Sequence, residues 1–337
     1  MDTALLHKMV AEKWVNVQKH PTESLYIYNY SPSTQYERNW NDITLACRGL
    51  ILDEKFNIVA RPFPKFFNYG EIAEQVIPNE NFEVYEKMDG SLGILYWMGN
   101  QPFIATRGSF TSDQSKVANH LLHTQYASTL PHLDKSKTYL FEIIYPENRI
   151  VINYGDTQML VLLAIMDIET GQDLPLEDIG FPIVKRYDGL TDLAMMQTME
   201  EDNKEGFIVK FKSGLRLKIK FAEYVRIHKI ITQVSTVNIW EYLKEEKPLE
   251  EILDRVPDEF YHWVRKTCDL LRGQFQDIET AAKAEFKVFD SRKEAALYFK
   301  TCQYPAILFK MLDERPYKHI IWQHIRPVYA KPFMNVI

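Results

Sequence analysis

From residue 24 to residue 221 apolar and polar positions mostly follow the short periods of strands, broken by turn signals. Leu25-Tyr26-Ile27-Tyr28-Asn29-Tyr30, Leu50-Ile51-Leu52, Phe82-Glu83-Val84-Tyr85 and Leu92-Gly93-Ile94-Leu95-Tyr96-Trp97 read as strands. Gly99-Asn100, set between Leu95-Tyr96-Trp97 and Phe103-Ile104-Ala105, predicts a hairpin. Residues 4–15 read as an amphipathic helix, 113–122 as a helical insert and 161–168 as a buried strand. After about residue 230 the period changes. Leu249, Ile252, Leu253 and Val256, then Phe260, Trp263, Val264 and Thr267, recur at three and four, the spacing of helices. The pattern predicts an α+β domain of antiparallel sheets with helices over 1–230, followed by an all-helical domain over 231–337.

With 337 residues, 46% of them hydrophobic, the chain can bury a substantial core, which excludes a disordered protein. No run of eighteen apolar residues predicts a membrane span, and the first ten residues do not read as a signal peptide. Cys47, Cys268 and Cys302 are far apart and odd in number. They fit buried thiols in a reducing, cytoplasmic compartment and match neither a disulfide framework nor a zinc spacing.

The net charge of −6 hides an asymmetry. Residues 281–337 carry ten basic and five acidic groups, a balance of +5, while 241–280 carry six and eleven, a balance of −5. In the basic stretch cations interleave with Tyr298, Phe299, Tyr304, Phe309, Tyr317, Trp322 and Tyr329, an arrangement suited to phosphates and unpaired bases if the rings are exposed.

Chemistry concentrates earlier. Glu86-Lys87-Met88-Asp89-Gly90-Ser91 sets a lysine after a strand and before a tight turn. Taken alone, Lys-x-Asp-Gly is an ordinary turn; its weight comes from the ordered series of motifs downstream. Phe141-Glu142 comes first and Lys204-Glu205-Gly206 second, then Leu215-Arg216-Leu217-Lys218-Ile219-Lys220-Phe221. The last segment alternates, so Arg216, Lys218 and Lys220 share one strand face, where like charges repel and a polyanion would relieve them.

Lys87-x-Asp89-Gly90, Phe141-Glu142, Glu205-Gly206 and Lys218-x-Lys220 resemble motifs I, III, IV and V of the covalent nucleotidyltransferases, which include ATP-dependent ligases and mRNA capping enzymes. Cys47-Arg48-Gly49-Leu50, 61–68 (Arg-Pro-Phe-Pro-Lys-Phe-Phe-Asn), Thr106-Arg107-Gly108-Ser109 and 146–151 (Pro-Glu-Asn-Arg-Ile-Val) narrow the resemblance to the phage T4-type RNA ligase family. Arg107 stands where that family leads one to expect lysine, which exchanges a point charge for a planar fork.

The resemblance implies an RNA ligase that joins 5′-phosphate and 3′-hydroxyl ends through a lysyl-AMP and an adenylated RNA end. Lys87 would be the nucleophile, with ATP as substrate and Mg²⁺ or Mn²⁺ as cofactor. A lysine attacks only without its proton, and neighbouring cations and burial disfavour an ammonium. Lys218 and Lys220 would supply that field and neutralise the phosphates; Glu205 would hold the metal and, with Gly206, complete motif IV. Glu142 would meet the ribose, Arg48, Lys65 and Arg107 the outgoing phosphates, and Phe67, Asp89 and Gly90 the nucleotide pocket. The partner would be single-stranded or nicked-loop RNA, with transfer RNA repair beside a polynucleotide kinase-phosphatase as the family precedent.

A DNA ligase or capping enzyme commonly carries a small β-barrel after motif V, whereas here Trp240, Leu243, Leu249, Ile252 and Leu253 form a helical stripe. Residue types alone leave GTP open as the nucleotide. A non-catalytic RNA-binding protein on a ligase fold is the alternative of a different class, and the intact Lys87, Glu205, Lys218 and Lys220 argue against it.

Overall fold

Helix α1 (Thr3–Ala11) is capped by Asp2, whose side chain accepts the Leu5 N–H. The helix is shorter than the 4–15 expected from periodicity. Lys13 takes a positive φ of 63°, and Val15 begins a strand paired with Tyr30, so cross-strand pairing overrides the helical pattern. The computed structural model describes residues 1–148, 150–232, 234–253 and 261–330. By contacts it divides into two units, Met1–His228 and Lys229–Ile337.

In the first unit β1 (Val15–Lys19), β2 (Leu25–Tyr30), β3 (Arg48–Asp53) and β4 (Ile58–Ala60) form an antiparallel sheet in chain order. Two short helices, α2 (Pro32–Glu37) and α3 (Asp42–Ala46), connect β2 to β3. The chain continues through β5 (Phe67–Asn68), β6 (Phe82–Glu86), β7 (Ser91–Met98), β8 (Gln101–Thr106), α4 (Asp113–His123), β9 (Lys137–Ile144), β10 (Met159–Asp167), β11 (Asp173–Leu174) and β12 (Arg186–Tyr187). It closes with α5 (Leu193–Thr198), β13 (Gly206–Phe211), β14 (Arg216–Lys220) and α6 (Ala222–Thr232). A second sheet has the order β11-β10-β9-β7-β8 and a third β12-β6-β13-β14-β5. Pairing in both is antiparallel except between β14 and β5.

The period-two pattern shows in the packing. Ile94 and Tyr96 of β7 join Ile27, Ile51 and Phe63 in the core against the first sheet. Leu95 faces the other way, with Ala118, Leu121 and Leu122 of α4. On β9 Phe141 and Ile143 go to the α4 side and Leu140 to the first-sheet side, so Glu142 projects from the same face as Leu140. A third core of Val84, Phe207, Val209, Leu217, Ile219 and Phe221 anchors the third sheet. The expected hairpin is present, with Met98 opposite Gln101 across Gly99 and Asn100.

The described part of the second unit is helical: α7 (Thr236–Lys244), α8 (Glu250–Leu253), α9 (Tyr261–Glu285), α10 (Arg292–Phe299), α11 (Pro305–Leu312) and α12 (Lys318–His324). Ile252, Leu253 and Val264 of the predicted stripes are buried, while Val256 and Phe260 lie outside the described residues. The interleaved aromatics correct the sequence expectation. Phe299 is fully buried, Trp322 is 9% exposed, and Tyr298, Tyr304, Phe309 and Tyr317 pack against the same core. Of that set only Tyr329, at 58%, is well exposed. Several cations are also engaged: Arg292 pairs with Asp313, Lys283 with Glu279 and Lys318 with Glu246.

Candidate active site

The residues singled out from the sequence converge in the first unit. Lys87 follows β6, whose pairing with β13 sets Glu86 opposite Phe207, and the Lys87 N–H donates to the Gly206 carbonyl at 2.9 Å. Glu205, just before β13, is 2% exposed. Its Oε1 lies 2.7 Å from Lys87 Nζ and 3.0 Å from Lys220 Nζ, so one buried carboxylate holds two ammoniums. A buried charge persists only when paired this closely.

Gly206 is demanded by this geometry. Its φ is +144°, and a Cβ there would come within 2.0 Å of the Ile219 carbonyl oxygen on β14, between Glu205 and Lys220. Gly90 is equally constrained, since a Cβ would meet the Ile143 carbonyl oxygen at 2.7 Å. The Gly90 N–H donates to Glu142 Oε1 at 2.9 Å. Burial pushes the Glu142 carboxyl up to about 8; Lys87 and the Gly90 N–H oppose that rise, while Glu205 and Asp89 add to it.

Asp89 does something the sequence did not reveal. At 3% exposure its Oδ2 accepts the N–H groups of Val151 and Ile152, each at 2.8 Å, and its Oδ1 accepts the Tyr224 hydroxyl at 2.9 Å. The Asp89 N–H donates to Tyr154 Oη at 2.9 Å, and burial pushes the Tyr154 hydroxyl well up from its usual value. The carboxylate thus ties the turn after Lys87 to the loop after β9 and to α6. Arg149 of the motif in that loop lies outside the described residues.

Four further cations of the motifs sit against aromatic rings. Lys65, 5% exposed, has its ammonium 5.3–5.6 Å from the ring centres of Tyr30, Phe67 and Trp40. Arg107 donates to the Tyr30 hydroxyl at 3.0 Å and stacks over the same ring. The Arg48 guanidinium lies 4.9 Å from the Phe63 centre and 5.2 Å from that of Phe66, and Lys218 is 5.8 Å from Phe66. Ring faces desolvate and orient such cations.

Arg216 departs from expectation. It stacks on Phe63 at 4.9 Å and pairs with Asp173 of β11, so at 7% exposure it is already neutralised and is not part of an open cationic face. Lys218 and Lys220 remain on that face, half-buried beside β5 and Glu205. Tyr30, Trp40, Tyr154, Tyr224 and Asp173 were missed because each looks like core or surface in the sequence. Tyr154 and Tyr224 at least lie close to a motif; Tyr30, Trp40 and Asp173 carry no such signal.

Among the described residues no group of three or more His, Cys, Asp or Glu could hold a metal by itself. Glu205 is a single carboxylate, which suits a divalent ion that arrives with phosphate oxygens and keeps part of its water shell. The buried amide of Asn68, opposite Lys218 across the β5–β14 pair, adds polar capacity that no side chain among the described residues takes up.

A family model described as RNA ligase matches residues 46–225. A protein of Autographa californica nuclear polyhedrosis virus, named as a bifunctional polynucleotide kinase/RNA ligase, is 28% identical over 244 residues, covering 64% of this chain and 35% of that protein. One from Thermovibrio ammonificans, named as an RNA ligase, is 30% identical over 208 residues, covering 56% and 54%. The RNA ligase of Rhodothermus phage RM378 is 21% identical, covering 78% and 75%. The chain thus spans about a third to a half of the length of the first two. A solved Naegleria gruberi RNA ligase with PPi aligns at a TM-score of 0.41 and 20% identity, over 49% of this chain and 57% of that one.

Proposed function

This chain belongs to the T4-type RNA ligase family, and from that premise we propose that it is an ATP-dependent RNA ligase acting through a lysyl-AMP. The observation that carries the mechanism is Glu205 held between Lys87 and Lys220.

Glu205 keeps the Lys87 nitrogen oriented before nucleotide binds. A Mg²⁺ or Mn²⁺ ion brought by the triphosphate would be held by Glu205 and would neutralise phosphate oxygens. The attacking nitrogen must be unprotonated, so Lys87 gives its proton to water before attack, and Lys220, which shares the Glu205 carboxylate, is the neighbouring cation that favours a neutral amine. Its Nζ then attacks the α-phosphorus, an N–P bond forms and pyrophosphate leaves past Arg48, Lys65 and Arg107. Glu142, largely protonated near neutral pH, meets the ribose as a hydrogen-bonding group instead of a second anion. Phe67 and Gly90 bound the nucleotide, and Asp89 acts by holding the turn. The AMP passes to an RNA 5′-phosphate, and a 3′-hydroxyl displaces it to seal the strand. Positioning and fixed charge supply most of the catalysis in each in-line step.

In this reading the first unit performs the chemistry and the helical unit selects RNA with a nicked loop, a transfer RNA being the family precedent, its ends healed by a kinase-phosphatase. The support is the +5 balance of 281–337; of those cations, Lys293 and Lys300 have no ion-pair partner among the described residues. The test is to incubate the protein with ATP, Mg²⁺ and RNA bearing a 5′-phosphate and a 3′-hydroxyl. Joined or circular RNA is expected, and none should form from 5′-hydroxyl RNA. Binding without joining would leave an RNA-binding protein on a ligase fold.

A further inference from the structure

Asn68 is 8% exposed, and neither its Nδ2 nor its Oδ1 finds a hydrogen-bond partner among the described residues. Its backbone is satisfied: the N–H donates to Glu71 Oε2 at 3.1 Å and the carbonyl accepts the Glu71 N–H at 3.0 Å. A buried amide with both ends idle is uncommon, because each idle group forfeits the hydrogen bonds it made to water. Its place makes the exception informative. Asn68 lies on β5, directly opposite Lys218 of β14 in a parallel pair, so the two side chains leave the same face of the third sheet. Lys220 leaves that face two residues on, reaching Glu205. Phe67, next in the chain, contributes to the ring cage around Lys65.

We propose that Asn68 is a ligand-binding residue, and that its amide N–H donates to a phosphate oxygen of the bound nucleoside triphosphate, a contact that satisfies the orphaned donor. The chemistry selects a phosphate. On a face that also carries Lys218 and Lys220, an anionic oxygen is the acceptor that enters, and an amide donor adds direction to a field that lysines supply without direction. The carbonyl oxygen then accepts from water of the phosphate's shell or from an ammonium drawn in with it. The inference rests on the ligase reading only for the identity of the nucleotide.

The test separates binding from folding. Asn68→Leu replaces the amide by an apolar group of similar shape. A residue that merely braced the fold would lose stability on this change, whereas an orphaned one gains it. The expected result is a rise of about 2–4 °C in the melting temperature without ligand, together with a roughly tenfold weaker response to ATP and to inorganic tripolyphosphate, each added with Mg²⁺. Asn68→Asp, which lacks the donor and adds negative charge, should abolish both responses. An unchanged response to both probes would overturn the proposal and leave Asn68 to a buried water. Loss of the ATP response alone would overturn it in favour of a contact to the base or sugar. If wild-type protein responds to tripolyphosphate and Asn68→Leu does not, yet no RNA is ever joined, the phosphate contact stands and the ligase reading fails.

Discussion

Replacing Asp89 by alanine should unfasten the turn that presents the nucleophile. The carboxylate takes three hydrogen bonds, from the Val151 and Ile152 amides and the Tyr224 hydroxyl, in a nearly closed setting. Alanine removes the carboxylate acceptor of all three hydrogen bonds, and a buried donor that loses its acceptor costs about 1–3 kcal/mol. Water entering the gap recovers part of that, so a loss of about 3–5 kcal/mol is expected, a large share of a typical domain's stability. Asparagine keeps the shape and one acceptor oxygen for the two amides, and should lose only about 1–2 kcal/mol. Tyr224→Phe removes one donor and should cost about 1 kcal/mol in the wild-type background. In the Asp89→Ala background it should cost less, because the hydrogen bond to Asp89 is already gone, giving a coupling of about 1 kcal/mol. Urea unfolding of the four cycle members measures this, provided the slopes agree. Asp89→Ala as stable as wild type, or strictly additive effects of the two changes, would refute the account of Asp89 as the tie between turn, loop and helix.

Glu142→Gln should alter the pH dependence of stability. The folded carboxyl titrates near about 8 and the unfolded one near 4.5, so between these values only the folded state keeps the proton. Wild-type stability therefore falls as pH rises through that window while this contribution is absent from the glutamine variant; parallel stability profiles from about pH 5 to about pH 8.5 would contradict it. Lys218→Ala and Lys220→Ala should each reduce adenylation by tenfold or more (about 1.4 kcal/mol per tenfold). Lys212→Ala, an exposed position by the Ser213-Gly214 turn, should change it less than twofold, and equal losses at all three would indicate general charge instead of positioned contacts.

Much of the site was legible because its chemistry is local and ordered in the chain. Lys87, Glu205 and Lys220 lie on or beside strands whose alternation was plain, and the strands bring both ammoniums within 3.0 Å of the Glu205 carboxylate. The strand–turn–strand over residues 91–106 and helix α4 were equally readable from periodicity and turn residues. What stayed hidden depends on tertiary pairing. The end of α1 yields to β1 because Val15 finds Tyr30, a partner that no local pattern announces. Arg216 looked like a third phosphate-facing cation until β11 delivered Asp173 from more than forty residues away. Aromatics beyond residue 281 carry the same spacing whether they face RNA or a core, and burial of Phe299 and Trp322 decides for the core. Asn68 stood at the end of a motif, but nothing in the sequence marked its amide as unsatisfied, since that exists only once its surroundings are built.

The central claim is that Lys87 carries the AMP. Incubation of the full chain with ATP and Mg²⁺, followed by denaturation, proteolysis and mass spectrometry, should find one AMP on the peptide containing Lys87. Lys87→Ala should form no adduct yet still seal RNA whose 5′ end is already adenylated, because only the first step is lost. A covalent AMP that persists in Lys87→Ala, or one that maps to another lysine in the wild type, would contradict the account.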